Sequence, residues 1–94
     1  IETRNRVAER YSRALKDVAT VPVVPDGYTS VWAQYTLRLA PGTRDELARA
    51  LQAEGIPTAI YYAKPLHRQT AYRDFPVAAA GLAVSERLAD EVLS

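Results

Sequence analysis

Along residues 1–19, IETRNRVAERYSRALKDVA, the apolar positions Val7, Tyr11, Ala14, Leu15 and Val18 recur at helical spacing, with Arg4, Arg6, Arg10, Arg13 and Lys16 on the other faces. The pattern predicts an amphipathic helix with a solvated charged side, Glu9 and Arg13 forming one i,i+4 pair. VPVVPDGY, residues 21–28, has its valines broken by Pro22 and Pro25, which suits a short edge strand ending in an Asp-Gly turn. SVWAQYTLRL, residues 30–39, alternates with period two. It should send Val31, Ala33, Tyr35, Leu37 and Leu39 to one face and Trp32, Gln34, Thr36 and Arg38 to the other.

After the Pro41-Gly42 turn, Thr43 with Glu46 has the spacing of a capping box that launches the helix RDELARALQAE, with Leu47, Ala50 and Leu51 inward and Gly55 as a left-handed terminator. Pro57 bars continuation, and TAIYY, residues 58–62, reads as another strand. A long loop then leads to VSERLADEVLS, a helix with Ser85 as N-cap and Leu88, Val92 and Leu93 on one stripe. The predicted fold is α+β, a short antiparallel or mixed sheet with helices packed on one face. The first helix lacks a side-chain cap before Thr3 and the last lacks a terminator, so both ends are expected to be cut within a larger protein.

Composition narrows the picture. Ninety-four residues, 48% apolar and 24% charged, describe one globular domain with a thin core that gains from a covering surface. A net charge of +1 argues against nucleic acid or an anionic membrane as partner. The absence of cysteine removes disulfides and thiolate chemistry, and no apolar run reaches membrane-spanning length, so a cytoplasmic location is expected.

The chemistry-bearing residues gather in GIPTAIYYAKPLHRQ, residues 55–69. Tyr61 and Tyr62, adjacent on a strand, should point to opposite faces, one packing and one free to meet a ligand. His67 is the chain's only histidine, without a second for a metal or proton-relay pair. Lys64 reads as a solvated side chain, and Trp32 on the polar face of its strand suggests that this face is covered too. No glycine-rich phosphate loop or Ser-His-Asp arrangement is present.

The combination of R-x-x-V-A-x-x-Y over residues 4–11, SVWAQYT, GIPTAIYYAKPLHRQ with Ala71-Tyr72, and SERLADEVLS resembles the C-terminal small domain of the DegT/DnrJ/EryC1/StrS family of nucleotide-sugar aminotransferases. The resemblance covers nearly the whole chain. It implies that residues 1–94 are the small domain of a fold-type I enzyme, usually a homodimer, that uses pyridoxal 5'-phosphate (PLP) to move an amino group from glutamate to a keto sugar nucleotide. SVWAQYT is most similar to members acting on UDP-linked 2-acetamido-3-keto-hexuronic acids. The lysine that carries PLP is expected upstream of residue 1, and neither Lys16 nor Lys64 replaces it. Tyr61 and Tyr62 match a dipeptide, commonly His-Tyr, that approaches the sugar nucleotide, and His67 and Gln69 match the loop that follows. The resemblance thus implies Tyr61, Tyr62 and His67 as substrate-binding residues. A non-catalytic sensor or dimerisation module of the same superfamily, and a PLP-dependent sugar dehydratase, are alternatives that the sequence leaves open.

Overall fold

A computed structural model describes residues 1–94. Three helices, α1 (Glu2–Leu15), α2 (Arg44–Ala53) and α3 (Ala83–Glu91), accompany two short strands, β1 (Leu37–Arg38) and β2 (Val92–Leu93). The strands pair antiparallel, with Leu37 opposite Leu93 and Arg38 opposite Val92. Single backbone pairs extend this sheet on both edges. Thr20 and Arg38 exchange both hydrogen bonds on one side (2.9 and 3.0 Å), and Ala59 and Ser94 do so on the other (2.7 and 2.8 Å). Neither the valine-rich segment 21–28 nor TAIYY forms the strand its composition predicts: Thr20, just before the first, and Ala59, within the second, each meet the sheet through one residue pair, and no ladder continues from them.

The fold is α+β with a short antiparallel sheet, and α2 packs against β2. The core is thin: Ala8, Leu39, Ala89 and Leu93 are its only buried apolar residues, as the length of the chain implies. Two buried charged residues close it. Arg38 Nε donates to Glu91 Oε2, and the Arg44 guanidinium donates to the carbonyl of Ala89, in the last turn of α3, where a cation complements the helix dipole.

Several local expectations change. The inward face of α2 is Arg44, Ala48 and Leu51, while Leu47 and Ala50 stay exposed, because Arg44 reaches α3 and rotates the helix toward it. In α1 the inward face is Asn5, Ala8, Ser12 and Leu15, so Val7, Tyr11 and Ala14 remain exposed, as does Val18, which falls in the turn beyond the helix. Thr43 does not cap α2: its hydroxyl donates to the Ala40 carbonyl at 2.7 Å within the preceding turn. Ser85 lies inside α3, which starts at Ala83, and the helix gives way at Val92 because the backbone groups of residues 92–94 pair with β1 and Ala59.

The long strand predicted over residues 30–39 shrinks to β1. Trp32 has φ 51°, which breaks the extended run and with it the two-residue alternation. Its ring instead meets Tyr35 at 5.4 Å, and Tyr35 meets Tyr11 of α1 at 5.3 Å. The Tyr35 hydroxyl shares a 2.8 Å hydrogen bond with Ser12 Oγ, so this aromatic row ties α1 to the segment before β1.

Gly55 behaves as the sequence predicts. With φ 78° it takes the left-handed position after α2, its N–H bonds the Gln52 carbonyl and the Ile56 N–H bonds that of Leu51, the two bonds of a Schellman termination.

Candidate functional site

Residues 61–64 form a turn rather than the end of a strand, so alternation does not apply to the paired tyrosines. Their peptide bond is cis, and the rings of Tyr61 and Tyr62 meet edge-to-face, with centroids 5.7 Å apart. The two rings thus form one aromatic surface instead of facing opposite ways.

That surface is one wall of an open groove of about 900 Å³. The wall continues through Leu66 and Tyr72, and Ser85, Leu88 and Val92 form the side built by α3 and β2. Tyr62 is 72% exposed, so its ring is available to a ligand while Tyr61 supports it edge-on. Tyr72 packs edge-to-face on Phe75 at 5.6 Å, which stiffens the far end of the same wall. Gln69 Nε2 donates to the Lys64 carbonyl at 3.2 Å and closes the loop between them. Three tyrosines around an apolar floor, with Lys64 as the sole charged lining residue, suit a ligand that offers hydroxyl groups, a flat ring and a negative charge.

His67 stands apart from this lining. It sits in a short 3-10 turn, Leu66–Arg68, with its side chain only 15% exposed, and its Nε2 donates to Glu86 Oε1 of α3 at 3.0 Å. Arg68 NH2 reaches the same oxygen at 3.1 Å. The hydrogen bond from His67 is the main cause that holds the Glu86 carboxyl below its ordinary value, partly offset by desolvation and reinforced by the Arg68 charge. Of the three residues expected at a substrate site, the structure brings Tyr61 and Tyr62 into the groove and places His67 behind its wall. Tyr72 and Glu86 had no such expectation attached. Tyr72 lies within the quoted motif, whereas Glu86 comes 19 residues after His67 and carries no local signal.

The groove does not form a complete PLP cradle. A phosphate held by protein calls for several convergent donors and a pyridinium nitrogen for a carboxylate partner, yet the lining holds one lysine and no carboxylate.

The profile of the DegT/DnrJ/EryC1/StrS aminotransferase family matches residues 1–94. The chain belongs to this family. It is 37% identical over 95 residues to UDP-2-acetamido-2-deoxy-3-oxo-D-glucuronate aminotransferase from Pseudomonas aeruginosa, a match covering 100% of this chain and 25% of that protein. It is 38% identical over 93 residues to the erythromycin biosynthesis sensory transduction protein EryC1 of Saccharopolyspora erythraea, covering 97% of this chain and 25% of the relative. A crystal structure of a family aminotransferase from Brucella abortus superposes with a TM-score of 0.93 at 55% identity, covering 99% of this chain and 24% of its own. The chain therefore spans about a quarter of the length of these family members, and its fold is that of a part of a DegT/DnrJ/EryC1/StrS aminotransferase. No helix is long and apolar enough to cross a membrane.

Proposed function

We propose that residues 1–94 serve as the small domain of a PLP-dependent aminotransferase that moves an amino group from glutamate to a keto sugar nucleotide in the cytoplasm. The single observation that carries this reading is the groove on the Tyr61–Tyr72 wall, built from the motif that matches the family. A UDP-linked 2-acetamido-3-keto-hexuronic acid is the proposed substrate class, supported by the name of the Pseudomonas aeruginosa relative.

In this reading Tyr61 and Tyr62 form the substrate side of the site. PLP supplies the electron sink for amino transfer when bound, held by residues outside this chain. Tyr62 offers a ring face and a hydroxyl to the sugar nucleotide, Tyr61 fixes that ring, and Lys64 supplies positive charge to the anionic part of the ligand. His67 contributes to enclosure through the loop that carries it. The exposed Val7 and Tyr11 on α1, with Val18 in the turn after it, support cover by a neighbouring surface, as a homodimer of the longer protein would provide.

The test is amination by the full-length protein. Incubated with PLP, glutamate and UDP-2-acetamido-2-deoxy-3-oxo-glucuronate, it should yield 2-oxoglutarate and an amino sugar detectable by mass spectrometry. If no keto sugar nucleotide is aminated, the enzyme reading falls. The second reading, a non-catalytic sensor, is favoured by the name of the Saccharopolyspora erythraea relative, and predicts nucleotide-sugar binding without turnover.

A further inference from the structure

Between Tyr61 and Gly81 the backbone makes hydrogen bonds only within the segment: Arg68 to Pro65, Gln69 to Leu66, Tyr72 and Arg73 to Gln69, Phe75 to Tyr72, and Gly81 to Ala78. These bonds shape the segment but do not attach it to the rest of the domain. Yet one wall of the groove is carried by this segment and the other by α3 and β2. Its width depends on what joins them.

The polar junction is Glu86. One carboxylate oxygen accepts a hydrogen bond from His67 Nε2 at 3.0 Å and forms an ion pair with Arg68 NH2 at 3.1 Å, two consecutive residues of the 3-10 turn. Leu66 and Gln69, which flank this pair in the chain, both line the groove. On the helix, Ser85 immediately precedes Glu86, and Leu88 and Ala89 follow within one turn; all three line the opposite side. A shift of the turn along or away from α3 therefore changes the spacing between the groove walls directly. The His67 side chain is 15% exposed while those of Glu86 and Arg68 are 37% and 57% exposed, so the His67 bond is the shielded half of the junction and the Arg68 contact a solvent-screened ion pair that adds less.

We propose that Glu86 is a positioning residue of the groove: by engaging His67 and Arg68 through one oxygen it fixes the Tyr61–Tyr72 wall relative to α3 and sets how closely the groove grips its ligand. The identity of that ligand rests on the function proposed above, whereas the positioning itself does not.

Hydrogen–deuterium exchange on the full-length protein without ligand reads the positioning. Glu86→Ala should speed exchange over residues 64–75 by roughly three- to tenfold, with residues 44–53 unchanged. Glu86→Gln, which can still bond His67 but loses the charge attraction to Arg68, should restore part of the protection. Arg68→Ala should give a smaller increase, and tests the same junction if Glu86→Ala does not fold. In the amination assay, Glu86→Ala should raise KM for the keto sugar nucleotide by roughly the same factor, with kcat and KM for glutamate within about twofold of the parent. Unchanged exchange in both Glu86→Ala and Arg68→Ala overturns the proposal, as does faster exchange with unchanged sugar-nucleotide KM. Should the parent protein aminate nothing, the function above fails and the exchange result alone decides the role of Glu86.

Discussion

Arg38 Nε donates to Glu91 Oε2 at 2.7 Å where α3 passes into β2, and the Glu91 side chain is 4% exposed. The pair joins β1 to the end of α3 beside the backbone bond from Leu39 N–H to the Glu91 carbonyl, so one residue links helix and sheet through both backbone and side chain. Removing Arg38 would leave a buried carboxylate without its cation. Because Arg38 is itself 43% exposed, the cost is below that of a fully buried pair. Arg38→Ala should destabilise the domain by about 2 kcal/mol, seen as a lower midpoint in denaturant unfolding, and Arg38→Ala with Glu91→Gln should recover part of it.

Gly55 occupies a left-handed position with open space around its α-carbon. A methyl group there meets no neighbour, so the cost of Gly55→Ala is conformational alone, about 1 kcal/mol. Thermal unfolding should show a modest decrease in Tm with no change in the groove, and an unchanged or raised Tm would contradict the Schellman termination.

How far the sequence carried these features depends on the range of the interactions. The end of α2 was legible because a Schellman termination is local: Gly55 and Pro57 encode it within a few residues. The region of the aromatic wall was legible because Tyr61 and Tyr62 adjoin in the chain, but their shared face was not, since a turn replaces the strand whose alternation would have separated them. The inward face of α2 was not, since it is set by Arg44 reaching Ala89, 45 residues away. Period-two patterning over residues 30–39 overstated the strand because it carries no information about the left-handed backbone at Trp32. Val92 and Leu93 fit a helical stripe equally well, and only pairing with Arg38 and Leu37 decides for a strand. The place of His67 depended on Glu86, a partner that no local motif announces.

Acid should weaken the link between the 3-10 turn and α3. The Glu86 carboxyl is held below its ordinary value of 4.5, first by the hydrogen bond from His67 and then by the charge of Arg68, with desolvation opposing them. In the unfolded chain it titrates at the ordinary value and so binds protons more readily than in the folded state. Its contribution is therefore complete above the ordinary value and lost as pH falls through the lower folded value. The stability difference between the parent and Glu86→Gln should be constant near neutrality and shrink below about pH 4.5. A difference that grows with acid would contradict this assignment.

Tyr62→Phe keeps the ring and removes the hydroxyl. With Tyr62 on the substrate wall, the variant should lose roughly tenfold or less in kcat/KM for the keto sugar nucleotide while retaining PLP to the same extent as the parent, measured by cofactor absorbance after dialysis. Unchanged kinetics would remove the Tyr62 hydroxyl from the site.

The most direct measurement is borohydride reduction of the full-length protein with PLP, followed by peptide mapping. The division of labour proposed here predicts a single pyridoxyl-lysine outside residues 1–94, with Lys16 and Lys64 unmodified. A stoichiometric adduct on Lys64, or no adduct at all, would contradict the claim that this chain forms the substrate side of a PLP site completed elsewhere.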